Sequence, residues 1–541
     1  MFIRQSLQGD SAVSGQRAQG RRFSAARIGL LLVLGGLGSL LWLSLHAQVA
    51  GNPAEPMTES LASVANHAGA DAVVGEPLEP CATNATIPGA TVLSTADDWQ
   101  SALENAAPGT TLLLRGGIYQ ATEKLTIPAG QPGQPVTVKP YDCEAVTLRG
   151  SFTPLSHTIL AGLRIEGAGL AEDDLKYVLR IDGKRGVLRN LIIRNNTIVG
   201  GELDAIRLHD DVVGVEFSGN HIDGGKSGHN LFVTTEVKPI DPAKSPDAIL
   251  ITNNRLTKRY FQTPAEDMFQ VRDARHITFT RNSCEQGVNM EQCVDIKSVT
   301  APLVIRYNRF DGTTLHQDGA GEDGSSGCMV IHEFDGHPEN HLIEANYFRN
   351  CRDTVIRFAS EGGDANSSGT VRYNVFVNPD STDDDGLLIW RAENVVFAHN
   401  TMIRGTLKLG RGDGLSKTPP VTPKNTVLSS NIFYESRIDD NTQAPDFTYR
   451  CTHNLFFNLA QHGNNDLNCS QTITADPLLA ALANEDYTPD VASPACGSGE
   501  QGGDRGAIAC TPGTDPIGTP PPSILPPDGP VLYLPLIQQG Q

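Results

Sequence analysis

Short runs along this chain alternate apolar and polar residues with a period of two, as in DAILITNN (residues 247–254) and RHITFTRN (residues 275–282). Such alternation buries one face of a β-strand. An asparagine closes each run. Ten of these anchors follow one another: Asn196, Asn220, Asn254, Asn282, Asn308, Asn346, Asn374, Asn400, Asn431 and Asn454. They are separated by 24, 34, 28, 26, 38, 28, 26, 31 and 23 residues. The third residue before each anchor is apolar (Ile193, Phe217, Ile251, Phe279, Ile305, Ile343, Val371, Phe397, Leu428, Cys451). The second residue after it is apolar too (Ile198, Ile222, Leu256, Cys284, Phe310, Phe348, Phe376, Met402, Phe433, Phe456). Self-similarity at such periods predicts a repeat architecture in which each unit buries its apolar face only by stacking on the next.

The runs are too short and too β-rich for helical repeats, and the uneven spacing does not suit propeller blades of about 40–50 residues. The expected fold is therefore all-β: a right-handed parallel β-helix with an amino-terminal cap. Ile305 and Ile343 are then expected one rung apart. The anchor Asn is expected at a tight turn, in left-handed backbone, with its amide bonding along the stack.

The first 50 residues read as an export segment. Arg17, Arg21, Arg22 and Arg27 precede the apolar run 28–45, and small residues follow. Cleavage after Ala47 is one expectation, and retention as a membrane anchor the alternative. Residues 51–84 read as a linker, 85–512 as the β-helix domain, 513–530 as a Pro-rich spacer, and 531–541 as an apolar tail too short to span a membrane. The chain is thus expected to be secreted or displayed at the cell surface, as a monomer. With 10 Cys in an exported chain, disulfides are expected. Proximity in sequence favours Cys451 with Cys469 and Cys496 with Cys510. Cys284 and Cys451 sit in apolar columns, so buried free thiols are the alternative there. The lack of CxxC spacing argues against a zinc site.

Net charge is −20, and removing residues 1–47 takes away five Arg and one Asp, leaving −24. So acidic a chain is a poor partner for nucleic acid. A polyuronate partner would require a local basic groove or bound calcium.

One series of strands supplies such a groove. With Leu208, Val271, Ile296, Ile331, Phe358 and Ile389 inward, alternation turns Arg207, His209, Gln270, Arg272, Asp295, Lys297, His332, Arg357 and Trp390 outward. In EQCVDIKSV, Asp295 and Lys297 share one face of one strand, with Arg272 expected one coil before and His332 one coil after. A Lys beside an Arg is pushed toward its neutral form and so toward general-base duty. The competing expectation is a plain Asp–Lys surface pair.

The segment 98–150 (an amphipathic start in DDWQSALENAAPG, then TTLLLRGGIY and LTIPAGQPGQPVTVKP) and the exit ADPLLAAL, DYTPDVASPACGSG and GDRGAIAC resemble the pectate-lyase-like superfamily of right-handed β-helix proteins, over about residues 85–512. The resemblance implies a polysaccharide lyase that removes the C5 proton of a uronate and expels the 4-linked sugar. It casts Lys297 as base, Arg272 or Arg357 on the carboxylate, and His332 as acid. Arg207, His209, Gln270 and Trp390 then line the substrate, and Asp295, Glu266, Asp267 and Glu291 are candidate calcium ligands. The WxDH and RxPxxR patterns of pectate lyases and the GHG and RIK patterns of polygalacturonases are absent. The Lys297/Arg272 layout is similar to that of chondroitinase-B-like alginate lyases. A non-catalytic glycan-binding surface protein and a two-carboxylate glycoside hydrolase are the alternative readings.

Overall fold

The computed structural model describes residues 87, 89–235, 241–258, 266–287, 291–297, 299, 301–312, 327–333, 340–351, 354–360, 368–377, 387–389, 392–410, 423–440, 448–463 and 467–510. The export segment, the linker, the Pro-rich spacer, the apolar tail and Trp390 lie outside these residues.

The chain winds as a right-handed parallel β-helix of three long parallel sheets. The first, of 14 strands, runs from Thr91–Leu93 to Tyr449–Thr452; the second, also of 14, from Gly117–Gln120 to Ile473–Thr474; the third, of 13, from Leu125–Ile127 to Ala460–Gly463. Each coil contributes one strand to each sheet and pairs only with the coils above and below. Both apolar columns therefore become ladders. Ile305 pairs in register with Ile343, and Phe310 with Phe348 and then Phe376. The Phe310 and Phe348 rings stack at 4.6 Å and those of Phe348 and Phe376 at 5.1 Å. Each fully buried Phe contributes about 1.5–3 kcal/mol.

All ten anchors are buried. Each amide bonds to the next along the axis: Asn282 Nδ2 and its backbone N–H both donate to Asn308 Oδ1 (3.1 and 2.8 Å), and Asn308 does the same to Asn346 (2.9 and 2.9 Å). The same Nδ2 also donates to a carbonyl of the preceding coil, as Asn308 does to Phe279 O at 2.9 Å. One expectation needs correction. The left-handed residue is not the anchor but the one before it: Asn195, Gly219, Asn253, Arg281, Tyr307, Ala345, Tyr373, His399, Ser430 and His453. The reason is a division of labour. The anchor needs an inward side chain to reach the next rung, and its predecessor turns the backbone while pointing outward, where many residue types are tolerated.

The anchor turn is short and constant. Variable connections lead into and out of the third sheet instead, such as those between Asp311 and Gly327 and between Leu409 and Thr426. They account for the uneven repeat length.

At the amino-terminal end, the helix α1 (Trp99–Glu104), capped by Asp98, buries Trp99 and Leu103, with Trp99 edge-on to Tyr119 at 5.5 Å. At the other end, residues after the last rung run back over the outer face of the second sheet. Tyr487 reaches Tyr347 (hydroxyls 3.3 Å apart), Glu485 pairs with Arg309 and Arg349, the Asp504 carbonyl accepts from His399 Nδ1 at 3.1 Å, and Gly506 N–H donates to Ser430 O at 2.8 Å. Both preferred disulfides, Cys451–Cys469 and Cys496–Cys510, are present, together with Cys284–Cys293 and Cys328–Cys351. Cys284 and Cys451 are therefore not free thiols.

Candidate functional site

The third sheet carries the candidate residues in register. Leu208, Val271, Ile296, Ile331 and Phe358 all point inward and are fully buried. One outward column reads Arg207, Phe232, Gln270, Asp295, Val330, Arg357. In the next column Arg272 pairs with Lys297 and Lys297 with His332, so Arg272 and His332 flank Lys297 one rung to either side, about 4.8 Å each way. The His332 side chain lies outside the described residues. The coil carrying Leu231–Thr234 inserts between the rungs of Arg207 and Gln270, which places the Phe232 ring against the Arg207 guanidinium at 4.2 Å.

Outward does not mean exposed here. His209 is buried: its Nδ1 lies 2.9 Å from Asp210 Oδ2 and its Nε2 3.5 Å from Asp182 Oδ2, so the expected sugar contact is replaced by two carboxylates. Gln270, Asp295 and Asp267 are buried as well. Arg207 is largely covered and donates to Asp204 Oδ2 at 3.0 Å. Arg272, with a side chain 47% exposed, and Lys297, at 21%, reach the surface, and Arg357 is partly buried.

Lys297 Nζ stands 2.7 Å from Asp295 Oδ2. Burial pulls its pKa down, but Asp295, Asp267 and Glu291 together outweigh burial, and the net shift is upward. The expected depression by Arg272 is thus overturned by closer acids: Lys297 rests as an ammonium. Beneath it, Gln270 Nε2 donates to Asp267 Oδ2 (2.8 Å) and Asp295 Oδ2 (3.3 Å), and Gln292 N–H donates to Asp267 Oδ1 (2.9 Å). Complete burial and then the Asp295 charge push Asp267 well above the usual carboxylate range.

A second group lies where the second sheet turns into the third. Lys258 is fully buried. Its Nζ donates to the carbonyls of Gly228 and of Glu266 (2.7 Å for the latter). Burial pulls its pKa down to about 8 against the opposing charges of Asp267, Asp204 and Glu266. Asp204 accepts from His229 N–H (2.8 Å) and faces His229 Nδ1 (2.9 Å). Burial raises the Asp204 pKa, but the His229 bonds and Arg207 reverse this and hold it below the ordinary value. Glycine is required at position 228, because a Cβ there would fall 2.3 Å from Asp204 Oδ1. Lys258 has a readable sequence signal: it lies two residues after inward Leu256, so alternation puts a lysine in the core phase.

No protein-family model matches the chain, and no curated protein matches it. Solved structures do. The PL6 family alginate lyase AlyGC superposes with a TM-score of 0.54 at 15% identity, the match covering 81% of this chain and 59% of that one. The chain therefore spans well under two thirds of that enzyme. PfbA, a surface protein and adhesin of Streptococcus pneumoniae, gives 0.44 at 14% identity, over 71% of this chain and 100% of that one. Pectate lyase Pel9A gives 0.31 at 11%, over 78% and 96%. The chain shares with AlyGC the parallel β-helix fold.

Calcium takes six to eight hard oxygens. Asp295 Oδ2 is engaged by Lys297 and Gln270, and among the described residues the ligand group that gathers at Asp267 includes Glu266 but neither Asp295 nor Glu291. Glu266 and Asp267 converge instead with the imidazole of His229.

Proposed function

We propose that this chain is an exported protein that binds an acidic polysaccharide along the floor of the third sheet and cleaves it by β-elimination. The observation that supports this most is the pairing of Arg272 and Lys297 on adjacent rungs as the cations that reach the surface above a buried acidic bed. Disulfides fit an oxidising compartment, and attachment through the amino terminus remains part of the proposal.

Elimination requires a positive group on the uronate carboxylate, a base at C5 and a proton for O4. Arg272, with a forked guanidinium and half-exposed, suits the carboxylate. Lys297, held as an ammonium by Asp295, suits donation to the departing O4 rather than the base role. His332, one rung on, is assigned the C5 proton. The C5–H electron pair then becomes the C4–C5 double bond as the C4–O4 bond breaks. Arg357, two rungs beyond Asp295 in the neighbouring column, extends the cationic floor.

The test is growth of unsaturated-uronate absorbance on pectate, alginate and glycosaminoglycan chains, with and without calcium. Lys297→Ala and Arg272→Ala are each expected to lower kcat/KM by about 10²–10³-fold. The Asp295 partner that holds Lys297 as an ammonium also suits a second reading, binding without turnover, in which the Arg272 and Lys297 cations only grip the glycan carboxylates. That reading predicts glycan retention, lost in Arg272→Ala, with no new absorbance on any substrate. New reducing ends without absorbance would point to hydrolysis instead.

A further inference from the structure

We propose that His229, Glu266 and Asp267 form a binding site for a transition-metal dication of the zinc, cobalt or manganese kind, oriented by Asp204 and Lys258 and independent of the eliminase reading. One ligand atom from each of the three lies within 4.8 Å of the others. The imidazole makes this more than an acidic cluster. The His229 side chain is only 8% exposed. Asp204, at Nδ1, also accepts from the His229 backbone N–H and from Arg207, donors that cannot reciprocate. It therefore acts as an acceptor, the ring proton sits on Nδ1, and Nε2 carries the lone pair. Among the described residues nothing hydrogen-bonds to Nε2, which is buried. It points toward Glu266 Oε2 at 4.0 Å. That is too long for a hydrogen bond, and short enough for one ion about 2.1 Å from each atom to bridge them.

A carboxylate on one ring nitrogen and an open lone pair on the other is the arrangement that metal-bound imidazoles have. The surroundings are prepared for it. Lys258 donates to the carbonyls of Gly228 and Glu266, which pins the backbone beside one ligand and at another. Gln292 N–H and Gln270 Nε2 each use one lone pair of an Asp267 oxygen, fixing the carboxylate and leaving further lone pairs for a metal. Glu266 is 48% exposed, so the site opens to solvent on that side and its carboxylate can swing the remaining distance. Nitrogen ligation by a neutral imidazole selects borderline metals over calcium. The absence of CxxC spacing speaks only to cysteine-bound zinc. In the other His–carboxylate group, Asp182, His209 and Asp210, the second ring nitrogen of His209 lies closer to its carboxylate, 3.5 Å from Asp182 Oδ2, and is not left buried without a hydrogen bond as His229 Nε2 is.

The test uses the full exported chain, stripped with a chelator and titrated with Co²⁺, Zn²⁺ and Ca²⁺. Binding of about one Co²⁺ with a visible d–d band, displaced by Zn²⁺ and unmoved by a hundredfold excess of Ca²⁺, is expected. His229→Gln should weaken Co²⁺ at least about a hundredfold, and Asp204→Asn about 10–100-fold, while His209→Gln leaves affinity unchanged. Glu266→Gln, at a solvent-facing position, reports the same loss if His229→Gln does not fold. Unaltered affinity in both His229→Gln and Glu266→Gln, loss in His209→Gln, displacement by Ca²⁺, or no Co²⁺ binding at all would each overturn the site.

Discussion

Two corners of the same coil solve the same problem differently. Where the first sheet turns into the second, ten rungs carry the same neutral amide, each bonded to the next. Where the second turns into the third, the buried polar groups among the described residues include Asp204, His229, Asn230, Lys258, Asp267 and Gln292, and no residue type repeats from rung to rung. An amide is both donor and acceptor, so it can pair with its own copy at every level. A charge cannot: two like charges one rung apart repel by about 3 kcal/mol at an effective dielectric of 20. A charged corner must therefore be a mosaic of unlike partners, built once. Repetition marks scaffold, and its interruption by ionisable groups marks the place where the chain spends stability on something else.

Breaking the uniform corner should cost most. Asn308→Ala removes the acceptor of the Asn282 N–H and Nδ2 and the donor to Phe279 O, all buried. A loss of about 3–5 kcal/mol in denaturant unfolding is expected, because each stranded group costs about 1–3 kcal/mol. Breaking the mosaic should cost somewhat less and depend on pH. Lys258→Met strands two buried carbonyls, for about 2–4 kcal/mol near neutrality. Folding lowers the Lys258 pKa from 10.5 to about 8, so between these values the unfolded chain holds the extra proton. Stability contributed by Lys258 therefore rises as pH climbs through that window, by up to about 3 kcal/mol, and the rise should be missing from the variant. The smallest effect sharpens the division of labour at the turn. Ala345 holds left-handed backbone at φ 51°, so Ala345→Gly should gain up to about 1 kcal/mol in thermal or denaturant unfolding. Asn346→Gly, one residue on, should lose several times that.

The same contrast explains what could be read in advance. A residue that bonds to its own copy must recur, so the Asn ladder, the two apolar columns and the rung placement of Arg272, Lys297 and His332 were legible from spacing alone. A mosaic leaves no period. His229 sits in GKSGHNLF with nothing to mark it, and the coil of Leu231–Thr234 turns Phe232 and Thr234 outward, so no charge drew attention to that rung. Spacing does not reveal the Lys297 shift, because register places Arg272 one rung away, whereas Asp295, two residues along the same strand, lies 2.7 Å away. Left-handed backbone was assigned to the recurring Asn, although its varied predecessor carries it.

The returning segment after the last rung has a mechanical consequence. Its holdfasts at Arg309, at Tyr347 and Arg349, and at His399, Ser430 and Asn454 in the turns that enter later strands lie on several levels along the second sheet. Stacked coils ordinarily peel from an end one at a time, since each grips only its neighbours. Tension applied at Cys510 would instead load this strap in shear along several levels together, so the carboxy-terminal half should yield as one block under force.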